Sequence, residues 1–508
     1  MKVKTKYFYA GMSSKGSMTL FLALILTLVF SFFFSLLEAA RVQGLSKIAK
    51  RSTLLQLESA LGEYQADLWE NYNLLFLDAG NSAGELDLVM LEGRRIEEEE
   101  LRKKSAGFYQ LALQSLEITS YSLATDHNGA AFEKQACKAI KKQLAAGTAE
   151  AVKQKLKMGE EMAQKSQSME KQWESAKDAM AEAENWEDME ADKGKGGDGA
   201  FVPQNPSVQE EDLPPNPVDS VDLLKKSAIL AIVVENPNEV SSKTISLQDT
   251  LKRRKKEEGN LQQPEHGTLD KLWFLQYLNG YFGCKTRKGK KNISHALDYE
   301  LEYCVAGTSS DCENLEKTVK ELLLIREAGN FTTIMQDGKK QALATELAAA
   351  AVGFTGMAPL IYAVKVGILL AWSYLESILD VRCLLAGGKV PLVKSAAEWK
   401  SDVSLGEEIL QDKKEQSESQ EKGLDYQEYL QFLLLLVKEE TLVWRAMDII
   451  EQNIKLKESA FRMDHQLHGM EIEGLYTASP LFLGFITAVK IKGGTYQFRE
   501  SGMEFYLE

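Results

Sequence analysis

Proline is missing from the first 202 residues of this 508-residue chain; all ten prolines come later. That absence leaves long helices uninterrupted, because proline removes a backbone donor and clashes with the preceding turn. Histidine and cysteine are scarce, at five each, and no Cys-x-x-Cys occurs. Zinc-ribbon and thioredoxin-like readings therefore have no basis. Neither a Gly-x-Ser-x-Gly elbow nor a Gly-x4-Gly-Lys-Ser/Thr loop is present, which removes the usual sequence grounds for a hydrolase nucleophile or a phosphate cradle. Positive charge is also short. Lys and Arg number 60 against 74 Asp and Glu, a net charge of −14. The first sixteen residues hold four Lys and no acid, so the remainder carries −18. Such a chain lacks the basic stripe of a nucleic-acid binder.

What the chain does have is one uncharged run of twenty residues, Met18 to Leu37, MTLFLALILTLVFSFFFSLL. At about 1.5 Å per residue a helix of this length spans a hydrocarbon core of roughly 30 Å. A cleaved signal peptide would have a shorter apolar core and a small-x-small site, and Leu37-Glu38-Ala39-Ala40-Arg41 is a poor one. A buried core helix would rarely be uncharged on every face. The expectation is a single-pass membrane anchor. Lys2, Lys4, Lys6 and Lys15 precede the run, and Arg41, Lys47, Lys50 and Arg51 follow it. The short acid-free tail and the large acidic region tip the balance to a cytoplasmic N-terminus and an extracytoplasmic C-terminal domain. Glu38 and Arg41 mark the outer boundary of the span.

The expected organisation follows composition. Residues 1–17 are a basic leader and 18–37 the transmembrane helix. Residues 38–192 read as a helical stalk, with Leu45, Ile48, Leu55, Leu61, Tyr64, Leu68 and Leu75 at helical spacing. Within it, Phe132 to Trp186 carries a roughly heptad set, Ile140, Leu144, Val152, Leu156, Met162, Met169, Trp173 and Met180. That pattern suggests a coiled coil, within the chain or by self-association, with a plain solvated helix as the alternative. Half of the prolines crowd into a Pro/Gly-rich linker, 193–220. The fold class is α+β, with a mixed helix and antiparallel-strand domain over 221–508. There Asp298–Val305 alternates and reads as a strand, and Asn314–Ala328 as a helix. Residues 347–375 read as a buried apolar helical pair, with a second membrane span as the alternative. Leu424–Leu456 reads as another helix. Met470–Tyr476, Leu483–Ile491 and Thr495–Arg499 read as closing strands about a Gly493-Gly494 turn.

Chemistry is sparse. His465-x-x-His468 could place two ligands on one helical face but lacks a clear third. Paired acids such as Glu300 and Glu302 carry no information in a chain with 74 acids. Cys304 and Cys312 bracket a turn-rich loop and could form a disulfide, free thiols being the alternative. No catalytic, cofactor or metal site is expected, and no enzyme.

The segment Lys15-Gly16-Ser17-Met18-Thr19-Leu20-Phe21 resembles the start of pseudopilin-like proteins of tight-adherence (Flp-type) pilus systems. In those, a prepilin peptidase cuts after the glycine, which here implies a cut between Gly16 and Ser17. The fifth residue after that cut is normally Glu, and here it is Phe21. The plain alternative for Gly16 is a flexible joint. More widely, the chain resembles exported bacterial proteins of unknown function encoded with such pilus systems. The resemblance is carried by the anchor, by HALDYELEYCVAG at 295–307, ENLEKTVKELLLIREAGNF at 313–331 and AWSYLESILDVRCLLAGGKVPLVK at 371–394. It implies a cell-surface structural component or assembly factor, with the membrane and pilus or pseudopilin subunits as partners. The alternatives are a surface receptor or sensor, and a cell-envelope enzyme with an unrecognised site.

Overall fold

A computed structural model describes residues 15–102, 108–143, 217–261, 271–289, 293–352, 358–403, 414–482 and 494–506, with single positions between 154 and 178. The first element, helix α1 (Lys15–Leu61), runs 47 residues without a break. Its N-terminal part is long and apolar enough to cross a membrane, and that stretch is not buried against protein. Leu20, Phe21, Leu24, Leu28 and Phe32 all stand exposed. The same helix then acquires a buried face. Glu38, Arg41, Leu45, Ala49, Thr53, Gln56, Leu57 and Ala60 are covered, three or four residues apart, the spacing of one helical stripe.

That stripe lies against an antiparallel sheet. Strand β3 (Gln466–Ala478) is its centre. Strand β2 (Ala112–Leu123) runs along one edge of β3, from Ala112 opposite Thr477 to Leu123 opposite Leu467. The other edge holds β4 (Tyr496–Phe505), paired with Gly469–Ala478, and the two-residue β1 (Leu77–Asp78), paired with Gln466 and Leu467. From Met470 onward the even positions of β3 are buried and the odd ones half-buried, the alternation of a sheet covered on one face. Met470, Ile472 and Tyr476 meet Ala49, Leu57 and Leu61 of α1, together with Leu91 of α3 (Leu88–Arg102). The Tyr476 hydroxyl lies 3.1 Å from the Thr53 hydroxyl, which donates to it.

A second and larger core is helical. It gathers α2 (Ala66–Tyr72), α4 (Asp126–Gln143), α5 (Pro217–Lys226), α6 (Ile229–Val233) and α7 (Lys271–Tyr281). It continues through α8 (Glu300–Ala306), α9 (Asp311–Ile334), α10 (Gly338–Val352) and α11 (Ala358–Leu385) to α12 (Tyr426–Leu436) and α13 (Glu439–Lys455). The stretch 347–375, read as a buried apolar pair, falls on α10 and α11, and α10 buries only Ala344, Leu347, Ala348 and Val352. Most of α11 is buried among neighbouring helices, although its length and composition alone would suit a membrane.

Several expectations need correction. Asp298–Val305 is not a strand: residues 300–306 are helix α8, ended by Gly307 at φ +68°. The misleading alternation arises because both of its faces are buried, with Glu300 and Glu302 as covered as Leu301 and Tyr303. Leu424–Leu456 is two helices, parted at Val437-Lys438. The region read as all-helical stalk supplies β1 and β2; lack of proline permits helix but does not demand it. Of the heptad set, Ile140, Met169 and Trp173 are buried in the helical core, and Lys225 Nζ sits 4.0 Å over the Trp173 ring. Leu144, Val152, Leu156, Met162 and Met180 lie outside the described residues, as do 1–14, the linker up to residue 216 and the expected strand Leu483–Ile491. Helix α5 begins at Pro217, within the stretch read as linker, where proline suits the first helical turn.

Candidate functional site

The residues singled out from the sequence fall in three places. Gly16 and Ser17 occupy the first turn of α1, so the Gly16–Ser17 bond lies in helical backbone. Cys304 and Cys312 are both free thiols, the first buried in α8 and the second exposed on α9; the structure does not join them. Burial raises the Cys304 thiol far above its ordinary pKa, which suits a packing role rather than a reactive one.

Glu38 and Arg41 are the informative pair. They are the first charges after the apolar run, yet each is only 1% exposed. They pair with each other at 2.9 Å. The Arg41 guanidinium also donates to the carbonyls of Phe108 (3.0 Å), Tyr109 (3.3 Å) and Ser479 (3.0 Å). The Glu38 carboxylate accepts from the amides of Leu481 and Phe482, the latter at 2.8 Å. The planar fork of arginine suits this, since its donors can serve several acceptors at once. One helical turn of α1 thereby holds the segment leading into β2 and the one leaving β3. An aromatic string follows the same contact. Phe34 stacks on Phe482 with ring centres 5.9 Å apart, Phe482 lies 5.9 Å from Phe108, and Phe108 meets Tyr109 edge-on.

The helical core holds the polar groups that sequence reasoning missed. Arg326 is fully buried, and its guanidinium donates to Asp380 (2.8 and 3.1 Å), to the carbonyls of Pro391 and Leu392, and to the Tyr429 hydroxyl. Lys394 pairs with Glu376 and Asp380 and donates to the Ser417 hydroxyl. Two cations and two anions thus cancel inside the protein. Burial alone would raise the Asp380 pKa, but Arg326 and Lys394 outweigh it and hold the carboxyl below its usual range. A neighbouring group works without a cation. Glu302 accepts from the Lys285 amide (2.9 Å) and the Tyr426 hydroxyl (2.9 Å). Burial pushes its pKa up to about 7. Glu300 accepts from the Gly283 amide and from Asn453 and lies 2.7 Å from His295. Asp448, also raised to about 7 by burial, accepts from the Leu251 amide and the Tyr303 hydroxyl. These carboxylates staple loops to helices, although the second oxygen of Glu302 is buried without a partner. The three segments 295–307, 313–331 and 371–394 that carried the family resemblance are the ones that supply Glu300, Glu302, Arg326, Glu376, Asp380 and Lys394. The only signal available was an acid or base set inside an apolar run, as Glu376 and Asp380 are in WSYLESILDVRCLL.

His465 and His468 do not share a helical face: the first ends a 3-10 turn and the second lies on β3. Among the described residues no group of three or more His, Cys, Asp or Glu is placed to hold a metal ion. A cavity of about 590 Å³ opens beside Glu235, Glu239, Lys285, Arg382 and Lys414. Its charges are mixed. Arg382 is committed to the carbonyls of Ile232 and Glu415, and Lys285 to that of Glu239.

An α+β protein with an apolar N-terminal helix, a small antiparallel sheet and an internally neutralised helical core is what these elements define. The chain belongs to a family of unknown function (DUF5702), which matches residues 207–478, more than half of the chain. The match covers the helical core from α5 onward and ends on β3. No curated protein matches the chain, and no solved structure does.

Proposed function

We propose that the chain is a membrane-anchored, extracytoplasmic, non-enzymatic protein that acts as a structural component or assembly factor of a tight-adherence-type pilus or secretion apparatus. The observation that carries this reading is the continuity of α1. One 47-residue helix passes from the apolar run into the sheet core. A force or displacement applied to the anchor would reach the folded domain without a hinge. The buried acids support a structural role, since Glu300, Glu302, Glu376 and Asp448 each accept from a backbone amide of another segment. The pilus assignment rests on the resemblance of Lys15–Phe21 and of the three internal segments. The anchor would pack laterally with other anchor helices through its exposed apolar surface.

N-terminal sequencing of the native protein extracted from membranes tests the mechanism. A start at Ser17 supports prepilin-type processing, which requires the first turn of α1 to unwind in the peptidase. An intact start at Met1 removes the pseudopilin-like mechanism. The mixed-charge cavity near Arg382 favours the second reading, a surface receptor or sensor; that reading requires an intact N-terminus and binding of a soluble ligand.

A further inference from the structure

We propose that the two segments gathered on the Glu38–Arg41 pair, residues 108–110 and 479–482, sit in the lipid headgroup interface and fix how the folded domain rests on the bilayer. The proposal builds on the membrane-anchor reading of residues 18–37. Phe34 lies three residues before Leu37, the end of the apolar run. If that run spans, Phe34 is about 4.5 Å inside its boundary. Phe482 stacks on Phe34, and Phe108 packs on Phe482. Phe482 and Phe108 therefore reach down to the level of the helix that lipid would surround. Phe108 is 49% exposed, Tyr109 41% and Leu481 45%, and Phe33 of α1 is exposed at 54%.

Two features fit a lipid partner better than water. Phe108, Tyr109, Leu481 and Phe482 are aromatic and aliphatic, the side chains that populate a bilayer interface. Their backbone is also already satisfied at five points, through the carbonyls of Phe108, Tyr109 and Ser479 on Arg41 and the amides of Leu481 and Phe482 on Glu38. A loop with its polar groups paired internally enters a low-dielectric layer without losing hydrogen bonds to water. Gly44 completes the arrangement: a Cβ there would come within 2.7 Å of the Tyr109 ring, so glycine lets that ring lie flat against α1.

The test uses the full chain in lipid nanodiscs, in a Cys312→Ser background, with nitroxide labels placed one at a time at Phe108→Cys, Leu481→Cys, Met503→Cys and Phe21→Cys. Accessibility to oxygen and to a water-soluble nickel complex is read at each. Met503 is exposed on β4, beyond the stretch of α1 that crosses Leu54, and serves as the water-side reference. The proposal expects high oxygen and low nickel access at 21, an intermediate interfacial ratio at 108 and 481, and free nickel access at 503. Lipid access at 21 with free nickel access at 108 and 481 overturns the proposal and leaves the anchor intact. Free nickel access at 21 overturns the anchor and the proposal together. Spin–spin broadening at 108 or 481 without lipid access assigns the surface to a second copy and overturns it too. An Arg41→Ala chain should lose the interfacial ratio at 108 and 481 while keeping that at 21; an unchanged ratio contradicts the role given to the pair.

Discussion

The helical core and the sheet core each bury an ion pair, but the pairs join very different parts of the chain. Arg326 reaches Asp380 across 54 residues, between α9 and α11, which pack on each other while α10 packs on α11. Arg41 reaches Ser479 across 438 residues, and β3 draws its partners from both ends of the chain. The α9–α11 part of the helical core can consolidate from nearer contacts, whereas the sheet core requires the chain to close a very long loop first. The comparison separates a body that stands on its own packing from a clamp that joins this body to the apolar helix. In both places a buried charge is tolerable because opposite charge and backbone groups satisfy it.

The largest test of that division removes one charge from the helical network. Asp380→Ala leaves Arg326 and Lys394 short of a counter-charge in the interior. It should lower stability by about 3–5 kcal/mol, read from denaturant unfolding followed by tryptophan fluorescence. Arg41→Ala should act locally instead, at about 3 kcal/mol. Amide exchange should rise at 108–112 and 478–482, with 311–385 unchanged; equal acceleration in both regions would erase the distinction between body and clamp.

The next prediction uses pH. The Glu302 carboxyl is held up to about 7 by burial, well above the range of a carboxylate in the unfolded chain. A raised acid contributes stability that is fully present below its unfolded pKa and lost as pH rises through its folded pKa. Glu302→Gln keeps the neutral shape and the acceptor oxygen that Lys285 and Tyr426 use. Relative to the variant, the natural chain should therefore lose up to about 3 kcal/mol between pH 4.5 and 7. A parallel pH dependence of the two proteins would show that Glu302 ionises normally. The smallest effect is expected at Tyr476→Phe, which removes the contact between sheet and α1 at Thr53 and should cost about 1 kcal/mol, measured as a midpoint shift in urea.

The two regions also differ in what sequence alone reveals. The apolar run and its continuation past Glu38 follow from local patterns of apolar residues, and parts of β3 and β4 from alternation, although β4 pairs with β3 and the strand expected across the Gly493-Gly494 turn lies outside the described residues. Strand β2 escaped because ALQSLEITSYSL lies in a proline-free region and pairs with residues some 350 positions away. No local signal reports that partner. Helix α8 escaped because its acids are buried, so that polar alternation imitated a half-exposed strand. Glu300, Glu302, Glu376 and Asp380 look like any of the 74 acids until packing covers them. Glu38 and Arg41 were legible only as the first charges after the apolar run; the segments they hold come from residues 108–109 and 479–482 and could not be read from α1.

The central claim is that α1 is one rigid element from the apolar run to the sheet. Hydrogen exchange on the full chain in nanodiscs addresses it directly. The account predicts that amides across residues 38–61 exchange as slowly as those of α12 and α13. Exchange within seconds over residues 38–45, with 46–61 still protected, would place a hinge at the Glu38–Arg41 turn and contradict it.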